Sequence, residues 1–541
     1  MKNVISAMFF LLASFSFAQK TERNSSSNYE RKTIVLKVKD KYRADCKTDA
    51  ILNSRLEYVF NKIGVNSIKK EFPLHIKPPR AKHANGMAVT DLSLIYKLKY
   101  SSNKDPWLII PKLLKTRMFE YAEPSFTVKF LYTSNDPQLA DLYFLNTIKA
   151  YQAWDVTTGD TNVVIGISDT GFDIDHPDLV DNVKYNYLDP INGDDDDGDG
   201  KIDNFRGWDL GEDDADPSVG SSWHGIFVAG IAGASTDNGN GLAGVGFKCK
   251  LLPIKITNAN GDLIAAYPSI IYAADHGCSV VNCSWGSVNS WSQYGQDIVR
   301  YATVDRNCLV VASAGNDNKT DKFYPASFDW VMSVGGTDTL NQKWVQSGTE
   351  GSNYNENVDI VAPSVAITRI KNGGGTIIGG GRGTSFASPM VSGAAALVKS
   401  QFPSYSAIQV MEQLKATADD LSGIPFNSSY DGKMGEGLLN IYKAVTETSN
   451  PGFYMDEIVF TDAQDGLFTN GETVYIYGNL FNVLASSSSS SKMMISTTSE
   501  YVEWIDSVRV FGTLASGDTV STIGIPFSFK IKQGTPPMEI V

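Results

Sequence analysis

Cysteine is nearly absent from this sequence: 541 residues hold five, at positions 46, 249, 278, 283 and 308. Five scattered thiols cannot build a disulfide framework, and no Cys-x-x-Cys pair offers a zinc site. Cys278, Cys283 and Cys308 lie in or beside apolar, strand-like runs, so buried free thiols are expected in preference to a bridge. Histidine is equally scarce, with five residues, His75, His83, His176, His224 and His276. Few side chains can therefore move a proton near neutral pH. After residue 18 no apolar run approaches the roughly 20 residues that cross a bilayer, so no membrane span is expected. The apolar stretch at the start, "MKNVISAMFFLLASFSFA" (1–18), is also too short. With Lys2 ahead of it and Ser16 and Ala18 at its end, it reads as a signal peptide removed before Gln19. A soluble product, secreted or held at the cell surface, is expected.

Charge is present but unevenly placed. Residues 20–134 carry 23 Lys and Arg against 11 Asp and Glu, whereas residues 135–541 carry 23 against 49. A basic segment is thus joined to an acidic body, and opposite fields hold two surfaces together. With a net charge of −13 and an export signal, nucleic acid is not an expected partner.

Length allows two to four domains at about 100–200 residues each. Residues 19–134 alternate between strand-like runs ("RKTIVLKVKD", "VTDLSLIYKLKY") and a helical spacing ("AILNSRLEYVFNKIGV"), which predicts a small α+β unit. Pro124 and Asn135-Asp136-Pro137 mark a linker. From 135 to 448 short apolar strands, 162–168, 251–256, 279–284, 308–313 and 330–336, alternate with longer helical segments. That order predicts an α/β fold with a doubly wound, mostly parallel sheet. Residues 449–541 return to strands separated by Gly, Asn, Asp and Ser turns, which predicts a β-sandwich-like accessory domain. The strand-like "PPMEIV" at the end suggests a fragment of something longer.

Three blocks hold residues whose chemistry is worth weighing together. Asp169 ends an apolar strand in "VVIGISDTGFDIDHPDL" and precedes a Thr-Gly turn, leaving a carboxylate at the edge of a sheet. His224 opens the run "WHGIFVAGIAGA". Ser385, in "GTSFASPMVSGAAALVKS", falls near a helix start because Pro389 is tolerated only there, which exposes its hydroxyl among free N–H groups. Each has an ordinary use taken alone: a turn aspartate, a helix-start histidine, a capping serine. An aspartic-protease reading of Asp-Thr-Gly needs a second such aspartate, and the sequence has none. An esterase of the α/β-hydrolase type needs a G-x-S-x-G elbow and the order Ser, Asp, His, whereas Ser385 sits in G-T-S-F-A and comes last.

The order Asp, His, Ser resembles that of the subtilisin-like serine peptidases, the subtilase family. The resemblance spans roughly 135–448 and includes "SDTGFDIDHPDL", "WHGIFVAGIAG", "VNCSWG", "VASAGN", "YPAS" and "GTSFASPMVSGAAALV" in the family's order. It implies a serine endopeptidase with His224 as general base, Asp169 orienting it and Ser385 as nucleophile. It also implies that Asn316 donates to the oxyanion together with the Ser385 N–H. By resemblance, Ser284-Trp285-Gly286 and Ser313-Ala314-Gly315 line the primary side-chain pocket, and Phe323 lies at its base, where a ring would disfavour large or charged side chains. The basic segment 19–134 becomes an intramolecular inhibitor, cut near Tyr132 to Asn135. Protein or peptide substrates and a monomer are expected. A secreted binding module that has lost catalysis is the alternative, and retention of Asp169, His224, Asn316 and Ser385 argues against it. The sequence departs from the family after His224: Ile226 and Phe227 stand where Thr and His are usual.

"NGDDDDGDGKIDNFRGWD" (192–209) places Asp195, Asp197, Asp199 and Gly200 at EF-hand-like spacing, with the Lys201 carbonyl and Asp203 beyond. Clustered carboxylates repel, and a hard cation with oxygen ligands relieves this, so a structural Ca²⁺ loop is favoured over a solvated acidic loop. The full motif would have Glu where Arg206 stands.

Overall fold

The computed structural model describes residues 29–80, 82, 87, 89–126, 134–220, 222–462, 464–497 and 499–536. The expected signal peptide, His83 and Tyr132, where the expected cleavage segment begins, lie outside them. The chain divides into two compact units, 1–129 and 130–541.

In the first unit four antiparallel strands lie in the order Val65–Lys70, Ile95–Tyr100, Tyr29–Val38, Phe119–Phe126. Alternation puts Ile34, Leu36 and Val38 inward. Helix Ser54–Ile63 is capped by the Asn53 side chain, which accepts from the Arg55 N–H, and stops at Gly64 in the left-handed region. Asp105 caps helix Pro106–Leu114 in the same way, with Pro at the first position. Leu56, Ile63, Ile109 and Leu113 from the helices meet the inward strand residues in one core.

The second unit is built on a seven-stranded parallel sheet. Its order is Ile360–Pro363, Val331–Thr337, Leu309–Ser313, Val280–Cys283, Val164–Asp169, Lys250–Lys255, Trp208–Asp209. Alternate residues of each strand feed two different cores, which is why the strands read as unbroken apolar runs. Ile165, Ile167, Leu309 and Val311 face helices His224–Gly233 and Thr384–Gln401, while Val164, Val281, Val310 and Ala312 face Ala266–Asp275 and Gln293–Arg300. The two outermost strands, Trp208–Asp209 and Ile360–Pro363, escape a sequence reading because they are two and four residues long.

Residues 453–531 add a five-stranded antiparallel sheet and a two-stranded ribbon, Lys492–Met494 with Val508–Val510. The five-stranded sheet closes over Val474, Ile476, Phe527, Phe529 and Ile531. All five cysteines are free thiols, four of them buried. Among the described residues no helix is long and apolar enough to cross a membrane.

Candidate active site

Val164–Asp169 is the interior strand at which the winding of the sheet changes direction, fifth in spatial order, with later strands added on both sides. Functional groups gather outside the carboxyl end of such a strand. Asp169 is its last residue and is 3% exposed. The Thr170 N–H donates to its Oδ1 at 2.8 Å. His224 Nδ1 lies 2.8 Å from Asp169 Oδ1 and 3.0 Å from Oδ2. A carboxylate only accepts, so a neutral imidazole here carries its proton on Nδ1 and leaves Nε2 as a base. Burial opposes charging the ring, but the Asp169 carboxylate outweighs it and holds the His224 pKa above the ordinary histidine value. The side chain keeps 33% of its surface open, enough for a proton to pass to a reactant.

Local bonds fix this pair. The Thr170 hydroxyl accepts from the Gly225 N–H at 3.0 Å and donates to the Ser222 carbonyl at 3.2 Å, tying the strand end to the helix start. A Cβ at Gly225 would lie 2.2 Å from the Gly171 oxygen, so the close approach of helix and turn requires glycine. Ile226, at the first family departure, is fully buried. Phe227, at the second, is half-buried, with the Arg369 guanidinium 4.9 Å from its ring centre.

Ser385 is the second residue of helix Thr384–Gln401. The Phe386 ring beside it lies 6.3 Å from the His224 ring. The Ser385 hydroxyl donates to the Ser284 carbonyl at 3.3 Å. Four residues on, Pro389 has no N–H, so the Ser385 carbonyl loses its helical donor. The Ser284 hydroxyl takes that place, donating to the Ser385 oxygen at 3.0 Å, and contacts the Ser388 hydroxyl at 2.9 Å. Asn282 Nδ2 donates to the Ser284 hydroxyl at 2.9 Å. Asn316 Oδ1 accepts from the Thr384 N–H at 2.8 Å and from its hydroxyl at 2.9 Å. The backbone donor settles which end of the amide is oxygen, and Asn316 Nδ2 is left as a donor next to the helix start. Two residues that a sequence reading passes over, Thr170 and Thr384, thus align the groups it does select.

The subtilase family model matches residues 160–437. The chain is 34% identical over 347 residues to the thermophilic serine proteinase of Bacillus sp. (strain AK1), covering 62% of this chain and 75% of that protein. It is 34% identical over 317 residues to thermitase of Thermoactinomyces vulgaris, covering 58% and 99%. With halolysin of Haloferax mediterranei it shares 31% identity over 347 residues, covering 63% and 60%. The chain belongs to the subtilase family. It is a subtilisin-like serine endopeptidase.

The residues expected to wall this subtilase's primary pocket take different positions. Ser313 and Ala314 are buried at the end of their strand. The Trp285 indole turns into the core and donates to Ser168 O at 3.1 Å and Oγ at 2.9 Å, so only its backbone can face a ligand. Phe323 sits between the two walls: a Cβ on Gly286 would come 2.4 Å from its Cε1, and one on Gly315 within 3.1 Å of Cδ2. Pairing of Ser287–Val288 with Phe323–Tyr324 holds the ring there.

Of the acidic loop, Asp195, Asp197 and Asp199 come together, with a carboxylate oxygen from each within 4.8 Å of the others. Asp203 turns aside, accepting from the N–H groups of Asn192 at 2.7 Å and Gly193 at 2.9 Å. The Lys201 ammonium pairs with Asp213. A second oxygen-rich spot lies in 235–244, "STDNGNGLAG", which sequence reasoning missed although its Asn, Asp and Gly content marks a turn-rich loop. Asp178, 1% exposed, accepts from the Leu242 N–H at 2.7 Å and Asn238 Nδ2 at 3.0 Å. Burial pushes its pKa up to about 7, with the charge of Asp136 adding to the effect. Gln138, whose N–H donates to Gly241 O at 3.4 Å, has a buried Oε1 with no donor. Buried carboxylates and an orphaned amide oxygen are what a hard cation satisfies.

Proposed function

We propose that this subtilase is a secreted endopeptidase that works through Asp169, His224 and Ser385, with Asn316 as oxyanion donor. The observation that carries the reading is the bond from His224 Nδ1 to Asp169, which leaves Nε2 as the free base. With substrate bound, the Ser385 hydroxyl turns from the Ser284 carbonyl towards Nε2. As the Oγ–C bond forms at the scissile carbonyl, Nε2 takes the hydroxyl proton. Asp169 stabilises the imidazolium without taking the proton. Asn316 Nδ2 and the Ser385 N–H donate to the oxyanion. The imidazolium then protonates the leaving amine as the C–N bond breaks; water, deprotonated by Nε2, bonds to the acyl carbon, and the imidazolium returns that proton to Ser385 Oγ as the acyl C–Oγ bond breaks.

The pocket reading deepens this. With Phe323 filling the space between Gly286 and Gly315, the residue before the cleaved bond is expected to be small, alanine or glycine. The domain scheme is a signal peptide (1–18), a basic prosegment (19–134), the catalytic domain (135–448) and a β-rich accessory domain (449–541). The prosegment's excess of cations suits it to block the acidic body until it is cut. The working form is a monomer, and its substrates are proteins or peptides. Ca²⁺ is held by Asp195, Asp197 and Asp199, and a second ion by Asp178 and Gln138; each neutralises carboxylates and rigidifies a loop, with no part in the chemistry.

Wild type and Ser385→Ala, expressed as full chains, test the reading. Wild type removes residues 19–134 and digests casein, and a sulfonyl fluoride stops it; the alanine variant does neither. An alanine variant that matures itself and digests casein as wild type does would overturn the assignment of the triad.

A further inference from the structure

Lys343 is 1% exposed, yet among the described residues its ammonium pairs with no carboxylate. It donates to Asn318 Oδ1 at 2.6 Å and to the Trp344 carbonyl at 3.3 Å. The ring centres of Tyr354 and Tyr430 lie 4.5 Å and 4.8 Å away, the two rings meeting edge to face at 4.8 Å. An ammonium held against two aromatic rings is stabilised by their quadrupoles, which offsets part of the lost hydration. Burial still pushes its pKa down to about 8. A cation kept dry at that expense needs a reason, and its contacts supply one.

Asn318 lies two residues past Asn316, in the left-handed region at φ 55°. This loop is laid along residues 351–354. The Gly351 N–H donates to Asn316 O at 3.0 Å, the Asn318 N–H to Gly351 O at 3.0 Å, and the Asn353 N–H to Gly315 O at 2.9 Å. Asn353 Oδ1 accepts from the N–H groups of Asp317 at 2.9 Å and Lys319 at 3.2 Å. Lys343 touches both sides of this seam, Asn318 on one and the Tyr354 ring on the other. Asn318 Nδ2, set by that contact, donates to Ser347 O at 3.0 Å.

We propose that Lys343 is a positioning residue for the oxyanion donor: its caged ammonium fixes Asn318 and the seam to Tyr354, and so the loop that holds the Asn316 amide in place. The proposal rests on the reading of Asn316 given above. Asn316 Oδ1 is already engaged by Thr384, so the direction of Nδ2 follows from where the loop backbone lies. A shift of that backbone moves the donor relative to the oxyanion, and transition-state hydrogen bonds are sensitive to displacements well below 1 Å.

The test is a double-mutant cycle in the full chain, matured to the active enzyme, with a peptide amide substrate. Lys343→Met keeps the length and removes the charge. Its kcat should fall about tenfold while KM stays within about twofold, because the lost interaction belongs to the transition state. In an Asn316→Ala background the same change should lower kcat by less than about twofold, since the donor it positions is gone. Equal losses in the two backgrounds, or wild-type kcat in Lys343→Met, would overturn the proposal. Should Lys343→Met fail to fold, Asn318→Ala replaces it in the same cycle, with the same pattern expected and the same outcomes decisive. An Asn316→Ala enzyme as fast as wild type would instead reject the oxyanion reading, a failure separable from that of Lys343.

Discussion

Pro389 withholds the one N–H that the Ser385 carbonyl would accept inside the helix, and Ser284 answers it from another strand end. Removing the Ser284 hydroxyl strands a buried carbonyl, at about 1–3 kcal/mol. Ser284→Ala should lower unfolding free energy by that amount, measured by urea titration in the Ser385→Ala background to prevent self-digestion. Adding Pro389→Ala gives the helix its own donor, so the same serine change should then cost less than half as much. An unchanged cost would mean that the Ser284 bond matters for reasons other than the missing N–H. The pocket proposed around Phe323 gives a second test at this scale. In Phe323→Ala the space between Gly286 and Gly315 opens, and kcat/KM for a phenylalanine peptide relative to its alanine counterpart should rise by on the order of tenfold or more. If the ratio stays fixed, the ring does not floor the pocket.

At the scale of elements, the strand Val164–Asp169 was legible because both faces are buried and its run ends abruptly in Asp169. The helix Thr384–Gln401 was legible because its run of small and apolar residues follows Pro389, although the helix begins five residues ahead of that proline. Order along the chain joined these to His224. What escaped is what depends on contact across distance. Lys343 is 25 positions from Asn318, so nothing near it marks its partner. Asp203 has ligand-like spacing, yet the loop backbone reaches its carboxylate first. The Asp178 spot joins three segments remote in sequence, with a single orphaned oxygen on Gln138 to betray it. The two loops should therefore respond to chelation differently. EDTA should shorten the thermal half-life of the mature enzyme severalfold, and Asp178→Asn should abolish most of that sensitivity, whereas Asp197→Asn should abolish less, because the Asp195–Asp199 cluster is exposed and screened. Half-lives that ignore EDTA would leave both loops as hydrogen-bonded turns.

At the scale of the molecule, the helix Ala407–Ala416 couples the parallel-sheet body to the β-rich segment. Gln409 Nε2 donates to Val483 O at 2.9 Å, and Asn450 Nδ2 to Ala416 O at 2.9 Å. Trp330 and Tyr454 meet edge to face at 5.5 Å. Under this junction lies Glu412, 4% exposed, against Gly452 and paired with Lys415 at 2.9 Å; Lys415 also reaches Asp359 at 3.4 Å. Burial pushes the Glu412 pKa up to about 7, and Lys415 only partly restrains it. A carboxyl whose folded pKa exceeds its unfolded value favours the fold below the unfolded pKa and loses that contribution as pH rises through the folded one. Lys415, raised to a pKa beyond the neutral range, stays charged throughout. Glu412→Gln removes the titration and keeps the shape. In the Ser385→Ala background, the unfolding free energy of Glu412→Gln minus that of the parent should therefore rise between pH 4.5 and pH 8. The rise should be on the order of 2–3 kcal/mol, because terms from titrating groups outside the Glu412–Lys415–Asp359 cluster cancel in the difference. A difference that stays flat across that interval would mean Glu412 ionises in the fold as it does in the unfolded chain, and that the junction carries no proton-linked stability.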